Sequence, residues 1–285
     1  MTQKTLVIVT QTDKTNEHLF DKKILGLSSA EWIVLRVGDL FKRVVFQKES
    51  DCPKGCVCID WDQTLVDKNT LGQDCGVRLN NQTFAYIQKT LQSYVIDNLV
   101  AKGVVVHDRQ GLHIDQTADI QSGAEIFAPN VICGNTQIKQ GSVIYPYCFL
   151  QSCVVGNDVQ VGPFATIRKD CVVGDNCRIG NFVELKNSVV EDRVKIAHLA
   201  YVGDAQVGHD TNVGCGVVFA NFDGKNKHKT IVGKNCFLGC NSNLVAPLVI
   251  DDGCFVAAGT TVTKDLAKNT FAIGRARQVT KNMGD

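Results

Sequence analysis

From Ile114 onward, an apolar residue returns at every sixth position of the chain, with a five-residue step at three points. The series is Ile114, Ile120, Ile126, Ile132, Ile138, Ile144, Leu150, Val155, Val161, Ile167, Val173, Ile179, Leu185, Val190, Ile196, Val202, Val207, Val213, Phe219, Val232, Leu238, Leu244, Ile250, Val256 and Val262. A period of six fits neither the 3.6-residue period of an α-helix nor the alternation of a plain strand. It is typical of a coil whose flat sides are each one hexapeptide, stacked at the strand spacing of roughly 4.8 Å. The sequence therefore predicts a mainly β chain whose residues 106–285 form a left-handed parallel β-helix.

The fourth position after each of these residues also points inward in such a coil and holds small or compact side chains. Examples are Ala118, Ala124, Thr136, Cys148, Ala165, Cys171, Cys177, Ala200, Thr211, Cys236, Ser242, Cys254 and Thr260. Buried free cysteines behave as small apolar side chains. The repeat therefore predicts a packing role for the five cysteines in this set.

The repeat is interrupted between Phe219 and Val232, where thirteen positions replace six. The inserted residues, Asn221 to Lys229, are mostly polar or charged. A loop must leave the coil here. Loops on a rigid scaffold commonly carry binding residues, and a plain surface excursion is the alternative.

Residues 1–80 lack the repeat. They combine two short β-like runs, Leu6 to Val9 and Trp32 to Val37, with polar connections, which predicts a small α/β domain of unassigned role. The segment Asp60 to Leu65 has the D-x-D-x-T form of haloacid-dehalogenase-type phosphatases, but that fold needs a longer domain, so we interpret the match as coincidence.

A helix is predicted to link this domain to the coil over residues 81–105. Apolar residues stand there at helical spacing, and Gly103 follows as a stop signal. They are Phe84, Ile87, Leu91, Val95 and Leu99.

Charge and cysteine content restrict the partners and the compartment. The 30 basic and 29 acidic residues give a formal net charge of +1, so no overall field attracts nucleic acid or an anionic membrane. No apolar run reaches the roughly 20 residues of a membrane-spanning helix. Thirteen cysteines, an odd number without a secretion signal, favour a reducing compartment, and we expect a cytoplasmic protein. Cys52, Cys56 and Cys58 lack paired zinc-ligand spacing, so no metal site is predicted.

Counting three hexapeptides to a turn, with the insert left out, stacks Ile196, Val213, Leu238 and Val256 on one side of the coil. The outward residues two positions later are His198, Cys215, Cys240 and Ala258. This column predicts a narrow groove for a long, thin ligand, with a histidine at one end. The alternative for His198 is an ordinary surface histidine.

The same count places Arg168 and Lys186 one turn apart on the neighbouring side of the coil. Two cations held that close repel each other unless an anion lies between them. The pair therefore suggests an anion site, with two solvated surface charges as the alternative.

Four segments together carry a family resemblance: His198 to Ala205, Asn221 to Gly224, Leu244 to Pro247 and Ala257 to Thr263. With them, the chain from about Tyr94 to Thr280 resembles the acetyltransferase half of the bifunctional bacterial enzyme that makes UDP-N-acetylglucosamine, a hexapeptide-repeat acyltransferase. The resemblance implies transfer of an acetyl group from acetyl-CoA to the 2-amino group of glucosamine 1-phosphate, without a metal.

The resemblance also assigns roles to individual residues. His198 falls on the general base, a task suited to a side chain that titrates near neutral pH. Matches to the sugar-phosphate ligands are Arg168, Lys186, Tyr201, Asn212 and Lys227, and Glu184 matches a residue that orients the site. Matches to the acetyl-CoA groove are Cys215, Asn221, Phe222, Cys240, Ala258 and Arg275.

The chain departs from the family in three places. Phe222 stands where a tyrosine is usual, which removes a hydroxyl from the cofactor side, and Cys240 stands at a usual serine position. Residues 1–100 contain no Gly-rich nucleotide loop of the kind found in the family's uridylyltransferase half, and the Pro53-Lys54 pair therefore does not follow such a loop. We therefore expect no uridylyltransferase activity.

The resemblance further implies a homotrimer with active sites between its subunits, since one flat face is too open to hold a flexible cofactor arm. Two other interpretations stay open. One is an acyltransferase for another amino sugar or a sugar nucleotide, and the other is a non-catalytic β-helix assembly protein.

Overall fold

The computed structural model describes the backbone of residues 5–10, 23–24, 27–28, 43–48, 57–60, 75–79 and 81–282, and the side chains of residues 91–282. The β-like run predicted at 32–37, most of the 60–65 motif, and Cys52 and Cys56 lie outside these residues, and only the backbone of Cys58 is described. The chain divides into two compact units, 1–98 with 113–117 and 99–112 with 118–285.

The first unit contains a parallel four-stranded sheet. Its strands, in spatial order, are Arg43–Lys48, Thr5–Thr10, Cys75–Leu79 and Val57–Asp60. The strands Lys23–Ile24 and Leu27–Ser28 pair antiparallel. The strand predicted over residues 6–9 is therefore confirmed.

The predicted helix is confirmed over Asn81–Ala101, so it ends before the predicted bound at residue 105. It ends in hydrogen bonds from the amides of Lys102 and Val104 to the carbonyl of Leu99, and Gly103 follows the helix with a φ of +92°. That left-handed conformation suits glycine, so Gly103 is the stop that the sequence indicates. No helix among the described residues is long and apolar enough to cross a membrane.

The remaining strands form the predicted left-handed parallel β-helix of about nine turns. Face 1 consists of Val105–His107, Glu125–Phe127, Val143–Ile144, Gln160–Val161, Arg178–Asn181, Lys195–His198, Asn212–Val213, Phe237–Leu238, Phe255–Val256 and Phe271–Ala272. Face 2 consists of Leu112–Ile114, Asn130–Cys133, Cys148–Gln151, Thr166–Ile167, Glu184–Lys186, Tyr201–Gly203, Val218–Ala220, Asn243–Val245 and Thr261–Val262. Face 3 consists of Asp119–Ile120, Gln137–Ile138, Val154–Val155, Val172–Val173, Val189–Val190, Ala205–Val207, Thr230–Val232 and Leu248–Ile250.

The six-residue series forms the core. Every residue of the series is at most 5% exposed. All thirteen fourth-position residues named above are buried except Ala118, which is half-buried. The five cysteines therefore pack inside the coil as predicted. Cys153 is buried as well, and the period missed it because it lies in a five-residue step.

The strand register confirms both predicted columns. Ile196 pairs with Val213, Val213 with Leu238, and Leu238 with Val256 on face 1. Ile167 pairs with Leu185 on face 2.

The corner between faces 1 and 2 is made by single residues in the left-handed conformation, and most of them are not glycine. Tyr147, Phe164, Phe182 and Leu199 have φ values between 46° and 64°. The three aromatic rings stack from turn to turn, with centroids 4.8 and 5.2 Å apart. This stacking helps to hold a conformation that side chains with a Cβ rarely adopt. Each strand of face 1 therefore ends at a defined point, and His198 occupies the last position before the corner residue Leu199.

The insert leaves the coil as predicted. The strand Val218–Ala220 closes face 2, and the coil resumes at Thr230–Val232, in register with Ala205–Val207 on face 3. Residues 221–229 therefore project from the corner between faces 2 and 3.

Candidate active site

His198 ends a strand of face 1 with its side chain exposed. Its Nδ1 lies 2.6 Å from Oδ1 of Asn181, the residue paired with it on the preceding turn. A carbonyl oxygen can only accept, so Nδ1 carries the proton of this hydrogen bond. In the neutral imidazole, Nε2 then keeps its lone pair.

A track of small residues continues from His198 along face 1. Cys215, Cys240 and Ala258 follow on the next three turns, which at roughly 4.8 Å per turn is a length of about 14 Å. Cys215 is half-buried, whereas Cys240 and Ala258 are exposed. The track is flat because glycines precede two of these residues. A Cβ on Gly214 or Gly239 would press against the backbone of the following turn.

Arg275 lies at the far end of this track. A Cβ placed on Gly259, next to Ala258, would lie 3.9 Å from Cδ of Arg275. The column predicted from the repeat is thus closed at one end by a histidine and at the other by an exposed guanidinium.

Face 2 carries the predicted cations. Nε of Arg168 lies 3.0 Å from Oε1 of Glu184, and both side chains are partly exposed. Lys186 follows Arg168 by one turn, as the repeat predicts, because Ile167 pairs with Leu185. The partner of Arg168 is thus a carboxylate, which holds the guanidinium in place on the face.

The loop brings a further cation to this face. Lys227 contacts Lys186, and this contact, together with charge repulsion between the two ammonium groups, lowers the pKa of Lys227. Tyr201 begins the strand Tyr201–Gly203 and pairs with Glu184. Its hydroxyl lies over Gly203, where any side chain would displace it. Lys186, Lys227 and Tyr201 thus gather at one end of face 2.

Asp204 anchors the loop to the coil. It accepts hydrogen bonds from the side-chain amides of Asn187, at 2.6 Å, and Asn221. Partial burial raises the pKa of Asp204, but these two bonds and the charges of Lys186 and Lys227 outweigh it, so the pKa lies below its usual range. A groove of about 330 Å³ adjoins this carboxylate and Lys227.

The loop itself is internally braced. Asp223 accepts hydrogen bonds of 2.7 Å from the amides of Lys225 and Asn226, and its other oxygen lies 2.7 Å from Nε2 of His228. The amide of His228 donates to the carbonyl of Asn221 at 2.7 Å. These bonds fix where Lys227 stands. Phe222 is 59% exposed at the loop surface.

Two predicted residues lie away from their expected partners. Asn212 begins a strand of face 1 beside Arg193 and Asp210, at the corner between faces 3 and 1. It is therefore at a different corner from Lys186. Asn221 is buried and directed at Asp204, so within one chain it braces the loop and does not line the track.

Asn181 and Asp204 were not identified from the sequence. Asn181 stands two positions after Ile179, which is the member of the face 1 column one turn before Ile196. Extending the column by one turn would have found it. Nothing in the period points to Asp204, because one of its partners, Asn221, comes from the insert and the other, Asn187, is a corner residue.

Comparison with known proteins identifies the repeat. Residues 152–187 match the family described as bacterial transferase hexapeptide (six repeats), and residues 229–264 match the hexapeptide repeat of succinyl-transferase. The bifunctional protein GlmU of Clostridium acetobutylicum is 39% identical over 211 residues, which cover 68% of this chain and 46% of that protein. GlmU of Clostridium botulinum (strain Langeland) is 39% identical over 250 residues, 82% of this chain and 52% of that protein.

Among solved structures, the UDP-N-acetylglucosamine acyltransferase of Francisella novicida is 16% identical. It covers 59% of this chain and 64% of its own, with a TM-score of 0.39. A likeness of that size carries no information about the reaction.

The chain therefore belongs to the hexapeptide-repeat transferases. Within that class the GlmU proteins are among its relatives; it matches their C-terminal half and spans about half of their length.

Proposed function

We propose that the chain is an N-acetyltransferase that moves the acetyl group of acetyl-CoA to the amine of an amino-sugar phosphate, with glucosamine 1-phosphate as the acceptor. The observation that carries this proposal is the position of His198. His198 lies at the end of the track of small residues on face 1. The cations of face 2, which are Arg168, Lys186 and Lys227, lie on the adjoining face beyond the corner residue Leu199. This position supports the proposal of a general base between a groove for a thin ligand and a site for an anion.

The chemistry follows from that position. The amine nitrogen attacks the thioester carbonyl carbon while Nε2 of His198 takes one of its protons. The tetrahedral intermediate then breaks its carbon–sulfur bond, and the imidazolium returns the proton to the departing thiolate. The products are the N-acetylated sugar phosphate and coenzyme A, and no electron donor or metal is required.

The cations on face 2 suit a phosphate. Arg168, Lys186 and Lys227 supply charged donors, whose hydrogen bonds to anions are short and strong. A phosphate beside Lys186 also relieves the repulsion from Lys227. An unphosphorylated amino sugar offers no such gain, so we expect it to be a poor acceptor.

The track suits the pantetheine arm of acetyl-CoA. Its small side chains leave room for an extended chain, and Arg275 at the far end offers a cation to the phosphates of the nucleotide. The thioester then lies near Cys215, one turn from His198.

We further propose that the active protein is a homotrimer with sites shared between subunits. Asn212 begins its strand at the corner between faces 3 and 1, whereas His198 ends its strand at the corner between faces 1 and 2, so we expect a neighbouring copy to supply Asn212 to the sugar. Threefold symmetry then makes three equivalent sites from one interface. We expect this assembly in the cytoplasm.

The test is thiol release from acetyl-CoA across glucosamine 1-phosphate, glucosamine and a UDP-linked amino sugar. We expect glucosamine 1-phosphate to give the highest kcat/KM. His198→Ala should lower kcat about 10²-fold or more, because a positioned general base contributes about 10²–10⁴. The exposed Lys195→Ala variant, on the same strand, is the control. A preference for a UDP-linked acceptor would reassign the substrate. If no thiol is released with any of the three acceptors, the proposed acetyltransferase activity is refuted.

A further inference from the structure

We propose that Asn181 is a positioning residue for this reaction: it fixes the imidazole of His198 with the proton on Nδ1, so that Nε2 faces the substrate as the base. The inference rests on the acetyl transfer proposed above. It concerns a residue that neither the repeat nor the family resemblance identified.

The contact is built into the coil. Asn181 and His198 are paired residues on successive turns of face 1. Gly180 precedes Asn181, and a Cβ at Gly180 would collide with the backbone carbonyl of Ala197. The missing side chain lets the two strands approach closely at this point. Both side chains therefore leave the coil at the same position along their strands, on successive turns.

The direction of the hydrogen bond decides the tautomer. Oδ1 of Asn181 lies 2.6 Å from Nδ1 of His198 and can only accept. Among the described residues, it is the sole hydrogen-bond partner of the ring. The second ring nitrogen of a histidine is commonly controlled in this way by the partner of the first. Without Asn181, a neutral His198 can carry its proton on Nε2, where the base would be blocked.

An amide partner differs from a carboxylate in its effect on protonation. The carbonyl of Asn181 accepts the Nδ1 proton without adding a negative charge that would favour the imidazolium. Charged or titratable groups on the neighbouring strands are Arg178 on the preceding turn, Lys195 on the same strand, Cys215 on the next turn, and Glu184 and Tyr201 across the corner. None of these is hydrogen-bonded to the ring in the part of the chain that the structure describes.

Two substitutions distinguish the effect of the His198 tautomer from the effect of an added negative charge. Asn181→Ala removes the acceptor, and we expect kcat to fall at least about tenfold at every pH, with both KM values within about twofold. Asn181→Asp keeps the acceptor and adds a charge, which stabilises the imidazolium. The pKa of His198 then rises, and the acidic limb of the kcat/KM profile moves up by about one pH unit or more. At pH values above this acidic limb, the activity of Asn181→Asp should return toward that of the unmutated protein, whereas Asn181→Ala should stay impaired at every pH.

Arg178→Ala, on the same strand as Asn181 and with an exposed side chain, is the matched control. It should leave the profile and kcat unchanged. Thermal melts of all variants identify a loss that comes from folding.

A second readout does not depend on activity. With nitrogen-15-labelled histidine, the signals of His198, assigned by their loss in His198→Gln, report the tautomer and the pKa directly. We expect the Nδ1–H form in the unmutated protein, a mixture in Asn181→Ala, and a raised pKa in Asn181→Asp. Unchanged His198 signals in both variants would overturn the role of Asn181 even if the protein transfers acetyl groups. A protein that transfers no acetyl group but shows these changes would instead refute the proposed function alone.

Discussion

Lys227 lies against Lys186 at the end of face 2, so that a residue of the inserted loop meets a residue of the coil with the same charge. The loop holds this position through the bonds of Asn221 to Asp204 and of Asp223 to His228. Two ammonium groups in contact repel each other, and the loop bonds offset that repulsion. If this pair is the anion site proposed above, the two cations already lie together before the anion binds.

The first prediction concerns this pair. Lys186→Ala and Lys227→Ala should each raise the KM for glucosamine 1-phosphate about ten- to hundredfold, because a hydrogen bond to a charged group contributes about 1.5–3 kcal/mol. The KM for acetyl-CoA should change little. Steady-state kinetics measure both constants. Lys225→Ala, in the same loop, is the control, and an equal effect there would mean that general charge attracts the substrate.

The second prediction concerns the cysteines. Burial raises the pKa of Cys153 to about 12 and those of Cys148 and Cys177 to about 11, so these thiols stay protonated at pH 8. Alkylation by iodoacetamide needs the thiolate and an open approach. In the folded protein, Cys240 should therefore react and the three buried thiols should not, as read by peptide mass spectrometry.

Protection of Cys240 by coenzyme A extends this alkylation experiment to the cofactor site. If the pantetheine arm lies in the track, saturating coenzyme A should slow the alkylation of Cys240 severalfold. The thiols that become reactive in denaturant provide the reference for complete labelling. An unchanged rate at Cys240 would show that the cofactor binds elsewhere.

Much of the coil was predictable because burial repeats with the backbone. The positions equivalent to Ile126 or Leu185 have the same environment on every turn, so one period describes all of the core. The track of Cys215, Cys240 and Ala258 follows from the same count, since outward positions repeat as regularly as inward ones. The fold and the groove are thus properties of the period.

The contacts that complete the site do not repeat. Whether Arg168 turns toward Glu184 or toward Lys186 depends on side-chain rotation within one face, which no period describes. The position of Lys227 depends on the bonds that close its loop onto Asp204. These interactions join residues from different elements, and each occurs once, so the sequence pattern carries no signal for them.

The third prediction concerns Asp204 and acid. Its folded-state pKa is depressed, so the stability that it contributes is fully present above its unfolded value of about 3.9 and is lost as the pH falls through the folded value. Asp204→Asn should lower the melting temperature at pH 7, and the difference should shrink below about pH 4. Melting curves from pH 7 to pH 3 test this. Asp119→Asn, an exposed carboxylate on face 3, is the control, and a difference that is constant across the range would contradict the linkage.

The last prediction tests the shared site by complementation. His198→Ala and Asn212→Ala proteins should each be strongly impaired as separate preparations. If the two residues of one site come from different subunits, trimers co-refolded from both variants contain some sites in which both residues are intact. The mixture should then regain activity well above the sum of the separate preparations. His198→Ala mixed with Asn181→Ala is the matched control. The side chains of these two residues are hydrogen-bonded within one chain, so no mixed trimer contains an intact pair and we expect no recovery. Equal activity of the two mixtures would refute the placement of Asn212 in a neighbour's site, and a monomer that turns over at assay concentration, seen by light scattering, would refute the trimer.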